Sequence, residues 1–370
     1  MDTLTWEDLL FEASVLLEGW YQTNKRDLPW RREVSAYRVW ISEIMLQQTR
    51  TETVKPYYAR FMEACPDISR LAAIGDEQLL KLWEGLGYYS RARNLKKTAN
   101  ICMEQYGGAL PESWEALMRL PGIGSYTAGA IASIAYGAPY PAVDGNVLRV
   151  ISRILADESD IAKPQTKKNM EECLGIFLRE YLTYDPGVFN QALMELGACV
   201  CIPGGRPLCS GCPLQSLCLA CLEKSTFRIP YKSKQKPRRK EERTVFVLAD
   251  ESGMVLHRRP EKGLLAGLYE PPSLQGRCGR QEALRYWSGI FSDAVTLEPL
   301  PDGKHIFTHI EWDMSAWRVC LTKKLVSYKN KIEDAGFVFL TPENVQLSAA
   351  IPSAFDTWSD FWNYEKFYCK

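Results

Sequence analysis

From Trp6 to Cys221 the apolar residues recur at three- and four-residue spacing, which is the period of one face of an α-helix. The pattern predicts helices over Trp6–Tyr21, Val39–Thr49, Val54–Glu63, Asp76–Gly85, Ser90–Gln105, Tyr126–Tyr136, Val147–Leu155, Lys167–Glu180 and Val188–Cys199. Beyond a basic stretch the texture changes to short β-branched or alternating runs, TVFVLAD, MVLHRR, AVTLEPL and WRVCLTKKL, separated by Gly, Pro and Asp turns. A helical pattern over Arg280–Phe291 lies among them. The fold class that follows is multidomain: an all-α domain over 1–222, a basic linker over 223–242 and an α+β domain over 243–370. No internal repeat breaks this division.

Composition narrows the function classes. At 370 residues and 46% hydrophobic content the chain can bury more than one core. Its 45 basic and 45 acidic residues cancel, so any attraction to nucleic acid must rest on local patches. One such patch holds nine basic residues between Lys224 and Arg243, and the bland reading of it is a solvated linker. Acidic Asp2, Glu7 and Asp8 replace the cationic start of a signal peptide, and the uncharged stretch Leu120–Val143 is broken by prolines, so a cytoplasmic protein with no membrane partner is expected. Six cysteines crowd between Cys199 and Cys221, a density that suggests a metal site in a reducing compartment.

Four motifs carry candidate chemistry. In LPGIGSYTAGAI, Gly122 and Gly124 turn the backbone between two helical patterns, and the next helix opens with free N–H groups that can hold a phosphate. In VDGNVLRV, Asp144 and Asn146 stand before a helix, where Asp144 is either a plain N-cap or a carboxylate returned towards bound DNA. Glu43 lies on a helix among Val39, Trp40, Ile41, Ile44, Met45 and Leu46. Spacing alone leaves it either on a solvated face or held partly dry with a raised pKa. Cys201, Cys209, Cys212 and Cys218, separated by seven, two and five residues, can reach one centre. With no histidine nearby the choice is an iron–sulfur cluster or an all-cysteine zinc site, and Cys209, Cys212, Cys218 and Cys221 form an alternative ligand set.

Taken in order, these motifs resemble the helix-hairpin-helix DNA glycosylase superfamily, and within it the MutY-type adenine DNA glycosylases. LPWR at 28–31, SEIMLQQT at 42–49, WEGLGYYSRARNL at 83–95, LPGIGSYTAGAI at 120–131 and VDGNVLRV at 143–150 carry the resemblance over nearly the whole chain. It implies an α-helical glycosylase domain, made of a hairpin subdomain over 30–140 and an iron–sulfur subdomain over 1–29 and 141–222, followed by a Nudix-like domain.

The resemblance also implies roles. Glu43 would protonate adenine at N7, and Asp144 would stabilise the oxocarbenium-like sugar through charge or a covalent intermediate, with Tyr126 and Asn146 assisting by hydrogen bonds. Gln47, Gln48 and Thr49 would enter the base stack, Leu86 and Tyr88 would meet 8-oxoguanine and the neighbouring step, and Trp30, Arg31 and Gln191 would line the adenine pocket. For Trp30 a purely core role is the competing reading. Cys201, Cys209, Cys212 and Cys218 would ligate a [4Fe-4S] cluster, the first spacing being one residue longer than is usual in the family. GLLAGLYEPP at 263–272 and the triplet Phe307, Thr308, His309 resemble the part that recognises 8-oxoguanine, with Thr308 where the family places serine. The implied substrate is double-stranded DNA with adenine opposite 8-oxoguanine or guanine, acted on by a monomer. Tyr126, standing where endonuclease III-like relatives carry a Schiff-base lysine, implies base removal with little strand cleavage. Two rivals remain at this point: an endonuclease III-like lyase, and a zinc-held DNA-binding protein without catalysis.

Overall fold

The computed structural model describes residues 5–204, 206–234, 237–292 and 295–362. They form two compact units, one made of Met1–Ala73 and Asn94–Gln235, the other of Ile74–Arg93 and Lys236–Lys370.

The first unit is helical. Its first helix, Trp6–Asn24, starts at a reciprocal cap, the Asp8 N–H donating to Thr5 Oγ1 at 3.2 Å and the Thr5 N–H to Asp8 Oδ2 at 3.3 Å. Leu9, Leu10, Ala13, Leu17 and Tyr21 form its buried face. That face meets Val147, Ile151, Leu174, Phe177, Phe189, Leu193 and Leu196, so one core unites this helix with Gly145–Ile154, Pro164–Glu180 and Pro186–Cys199. Helix Pro186–Cys199 is central, packing on Trp6–Asn24, Ser125–Tyr136 and Gly145–Ile154, while Ala36–Leu46 packs on Ser125–Tyr136.

Two glycines fix the path of the chain around the last of these contacts. Gly122, between Trp114–Leu117 and Ser125–Tyr136, has φ +78°, and a Cβ there would stand 2.7 Å from Asn94 Cβ. Gly129, inside helix Ser125–Tyr136, lets the following loop lie directly on the helix, since a Cβ would stand 2.1 Å from the Pro141 carbonyl oxygen. The helix ends at left-handed Gly137 (φ 66°), whose N–H donates to Ser133 O at 3.1 Å while Ala138 N–H reaches Ala132 O at 2.9 Å. The loop so reversed is pinned by fully buried Asn190, which accepts from Ala142 N at 3.1 Å and donates to Tyr140 O at 2.9 Å.

Among its described residues the second unit holds eight strands: β1 Arg239–Val247, β2 Ala249–Asp250, β3 Gly253–Arg258, β4 Tyr269–Glu270, β5 Ser273–Gln275, β6 Thr296–Ile306, β7 Ile310–Cys320 and β8 Val338–Leu340. One sheet has the order β5-β1-β7-β6, with β1 and β7 parallel and the other pairs antiparallel. In the other, β3 pairs antiparallel with β2, β4 and β8. The C-terminal part of β1, Thr244–Val247, is buried without alternation because both of its faces are covered there. Phe246 joins Trp287 and Phe291 of helix Arg280–Phe291, whereas Val245 and Val247 join Trp312, Phe355 and Trp358.

Three boundaries differ from the sequence reading. The second unit's sheet starts at Arg239, inside the expected linker, because Arg239–Val247 pair in register with Ile310–Arg318. Residues 223–234 are not a free tether either: Arg153 donates to the carbonyls of Thr226 and Ile229 at 3.1 and 2.8 Å, and Ser233 N–H donates to Asp160 Oδ1 at 3.1 Å. Lys236 of that basic stretch lies outside the described residues. Segment Ile74–Arg93, expected in the helical domain, packs with the C-terminal part. Lys81 Nζ donates to Val345 O and Ala349 O at 3.3 and 3.2 Å, and Ile351 N–H donates to Glu84 at 2.7 Å. Strand AVTLEPL begins at Thr296 and runs to Ile306, its first residue Ala294 lying outside the described residues, and WRVCLTKKL ends as a strand at Cys320. Among the described residues no helix is long and apolar enough to cross a membrane.

Candidate active site

The helical unit holds a half-open cavity of about 680 Å³, a size that admits a nucleoside. Glu43, Gln47, Gln48, Thr49, Trp30, Arg31, Tyr126, Asp144, Asn146 and Gln191 all line it, brought together from five helices and their ends.

Glu43 sits mid-helix, and the face it shares with Val39 and Leu46 is turned into the cavity rather than towards solvent. Burial drives its carboxyl up to about pKa 7; the Tyr126 hydroxyl donating to Oε2 pulls the other way, the charge of Asp144 adds to the rise, and Arg31 opposes it. The dry alternative for Glu43 is therefore the one the fold adopts.

Asp144 is both an N-cap and a cavity residue. Its Oδ1 accepts the N–H groups of Asn146 and Val147, each at 2.8 Å, and Oδ2 accepts Asn146 Nδ2 at 2.7 Å. Burial raises its pKa, and the hydrogen bonds from Val147 and Asn146 pull it back. Arg149 Nη2 donates to Asn146 Oδ1 at 2.9 Å and so fixes which way that amide points.

The remaining pocket residues divide by contact. Trp30 is buried, edge-on to Tyr58 with ring centroids 5.4 Å apart, and lines the cavity as well, so both readings of it hold. Gln191 Oε1 accepts from the Tyr21 hydroxyl at 3.1 Å, and its amide donates to Gly187 O at 3.2 Å. Gln48 has left-handed backbone (φ 59°) just past the helix end at Leu46, so the chain turns sharply where Gln47, Gln48 and Thr49 meet the cavity. Sequence reasoning passed over Glu195 and Arg26. Both line the cavity, and the signal was present: Glu195 is four residues after Gln191 and shares its helix face.

At the hairpin, Gly122 needs its left-handed backbone, but Gly124 does not. Gly124 is extended, with φ −100° and ψ −179°, and nothing stands within 4 Å of where a Cβ would be. Its smallness leaves open space ahead of helix Ser125–Tyr136 instead of easing a strained turn.

Cys201, Cys209, Cys212, Cys218 and Cys221 line one small cavity with Arg153, which donates to Cys201 Sγ at 3.2 Å. Burial pushes the thiols of Cys212 and Cys218 up to about 11 and about 12. An iron–sulfur cluster or zinc ion bound there would supply the positive charge that favours the thiolates.

In the second unit Phe307, Thr308 and His309 form the turn of the β6–β7 hairpin, closed by Phe307 N–H to Ile310 O at 2.8 Å. Phe307 rests between His305 and Trp312, while Thr308 and His309 are exposed. The Thr308 and Tyr88 hydroxyls lie 2.8 Å apart, so these two separately predicted segments meet. Leu86 is buried, and its backbone is engaged within the unit, its N–H donating to Trp83 O at 3.1 Å and its carbonyl accepting from Arg91 Nη2 at 2.9 Å.

Comparison with known proteins finds relatives of both parts of the chain. Residues 41–175 match the HhH-GPD superfamily of base excision DNA repair proteins, and residues 244–358 match the NUDIX domain. The chain is 37% identical to the adenine DNA glycosylase of Homo sapiens over 84% of its length and 67% of that protein's. It is 35% identical to the adenine DNA glycosylase of Buchnera aphidicola subsp. Schizaphis graminum, over 75% of this chain and 79% of the other. A thermostable thymine-DNA glycosylase superimposes on 57% of the chain, and on 96% of its own, with a TM-score of 0.52 and 27% identity. A helical repair unit followed by a NUDIX domain, at that identity and over that share of its relatives, makes the chain a member of the adenine DNA glycosylase family, the DNA N-glycosylases of base excision repair.

Proposed function

We propose that the protein excises adenine paired with 8-oxoguanine or guanine in duplex DNA, acting as a monomer on a base flipped into the cavity of the helical unit. The observation that carries this reading is the pairing of Glu43 and Asp144 on one cavity, the first with its pKa raised to about 7. A carboxyl with that pKa still holds a proton near neutral pH, and it delivers the proton to N7 of the adenine. Protonation turns the base into a neutral leaving group, and the C1′–N9 electron pair departs with it. Asp144, held by three donors, faces the cationic sugar that remains and either stabilises it by charge or bonds to C1′ before water completes hydrolysis. Tyr126 orients the Glu43 carboxyl, and Asn146 orients Asp144.

Tyr126 carries no amine, so the product is an abasic site with at most weak strand cleavage. Gln47, Gln48 and Thr49 enter the stack beside the gap, while the open N-terminus behind Gly122 and Gly124 takes backbone phosphate. The hydroxyls of Tyr88 and Thr308, adjacent in the second unit, form with Phe307 and His309 the surface that reads 8-oxoguanine.

Cys201, Cys209, Cys212 and Cys218 would hold a [4Fe-4S] cluster, whose chemistry here is structural cross-linking of the loop that carries Arg206. The cavity offers cysteine sulfurs and no histidine among its lining residues, the soft donor set that an iron–sulfur cluster takes. Cys221 lines the same cavity, so Cys201→Ser and Cys221→Ser decide between the two ligand sets: the first is expected to bleach absorbance near ~400 nm and the second to leave it.

A single-turnover assay on duplexes with adenine opposite 8-oxoguanine, guanine, cytosine or thymine, with and without alkali, tests the whole reading. Base loss confined to the first two and revealed as strand breaks by alkali is expected. Strand breaks without alkali, or no preference among the four, would overturn it.

A further inference from the structure

Three carboxylates line the cavity of the helical unit, Glu43, Asp144 and Glu195, and so do three cations, Arg26, Arg31 and Lys167. Their pairing is lopsided. Glu195 has a side chain with no exposure at all, and it alone engages both arginines. It accepts from Arg26 Nε at 2.6 Å, Nη2 at 3.1 Å and backbone N at 3.0 Å, and from Arg31 Nη2 at 2.8 Å. Arg31 gains a second hold from Arg26 O, 3.3 Å from its Nη1, and its guanidinium lies 5.6 Å from the centre of the Tyr21 ring. Lys167 is occupied by Ser125 Oγ at 3.3 Å and Glu171 at 3.4 Å. Glu43 receives only the Tyr126 hydroxyl among the hydrogen bonds described.

We propose that Glu195 is a positioning residue that holds the Arg31 guanidinium off Glu43, so that Glu43 keeps the proton it gives to the base. This rests on the reading of Glu43 as the acid. A largely buried guanidinium that loses its carboxylate partner pairs with the nearest carboxylate that can take it, because an unpaired buried charge is costly. Glu43 is within reach of that field, since Arg31 already pulls its pKa down. Full pairing would lower it further and empty the acid of its proton at neutral pH. The other charged or titratable groups around Glu43 do not substitute for this restraint. Tyr126 donates a neutral hydrogen bond, Asp144 is satisfied by its own three donors, Arg26 shares Glu195, and Lys167 is held at Ser125 and Glu171.

The test is the pH dependence of single-turnover adenine excision, read as the position of the alkaline limb and not as amplitude. Wild type is expected to lose activity above an apparent pKa of about 7. Glu195→Gln should move that limb down by about one pH unit, leaving the rate within about two-fold at pH 6 and roughly ten-fold slower at pH 8. In Glu195→Gln/Arg31→Leu the limb should return to the wild-type position or above. An equal loss at every pH in Glu195→Gln, or a limb still lowered in the double variant, overturns the proposal. If Glu195→Gln alone does not fold, Glu195→Gln/Arg31→Leu, in which Glu195 and one of its two arginines are changed together, decides by the same criterion. Failure of the underlying reading looks different: Glu43→Gln would then turn over with the wild-type limb intact, whatever Glu195 does.

Discussion

Glu43 is buried and Asp144 half-buried, and their neighbours give the two carboxylates opposite tasks. Glu43 has one donor and a strong desolvation penalty on its charge; Asp144 has three donors to keep a charge in place. The difference has a consequence for stability. The Glu43 pKa is raised from 4.5 to about 7, so between those values the native protein keeps a proton that the unfolded chain has released, and stability falls as pH rises through that window. Glu43→Gln removes the penalty. Thermal or urea denaturation should show the variant close to wild type at pH 4.5 and more stable at pH 8, by about 3 kcal/mol, while excision drops by orders of magnitude. Asp144 answers to two substitutions. Asp144→Asn keeps a capping oxygen and should cost less than about 1 kcal/mol, whereas Asp144→Ala loses the cap and should cost about 1–2 kcal/mol; both should abolish turnover. Equal stability losses in the two would show that the cap contributes nothing.

At the scale of elements, the site depends on how closely a loop lies against a helix. The reversal at Gly137, the contact of Pro141 with Gly129 and the clamp of Asn190 together set where Asp144 starts the next helix. Gly197 does the same from helix Pro186–Cys199, where a Cβ would stand 2.6 Å from Asn146 Cβ. Gly129→Ala should destabilise the protein by about 1–3 kcal/mol, because its obstacle is backbone and cannot rotate away, and should slow excision through displacement of Asp144. Gly124→Ala meets open space in the protein, so it should fold as wild type and lose duplex binding. Calorimetry and a binding titration on each variant separate the two kinds of glycine.

At the scale of the whole molecule, the second unit is not simply the C-terminal part of the chain, since Ile74–Arg93 packs with it. A truncation ahead of Pro237 therefore removes the partners of Lys81, Glu84, Tyr88 and Arg93. The truncated protein should be cleaved within 74–93 by limited proteolysis. It should lose excision opposite 8-oxoguanine more than opposite guanine, because Tyr88 and Thr308 are no longer held together. Equal loss on both duplexes would count against a recognition role for this unit.

The periodic pattern fixed the helical half, the strand-rich half and the exact span of helices Ser90–Gln105 and Arg280–Phe291, because amphipathic spacing is a local property that a linear reading detects. It also yielded Glu43, Asp144 and the cysteine set as candidates, since short motifs keep their residues adjacent. Three things waited for the tertiary structure: whether Glu43 faces solvent or a dry cavity, that Glu195 ties Arg26 to Arg31, and that Tyr88 meets Thr308 across 220 positions. Each is a contact between segments far apart in sequence. Its energy depends on burial and on the charges opposite, and neither is encoded in the spacing along any one element.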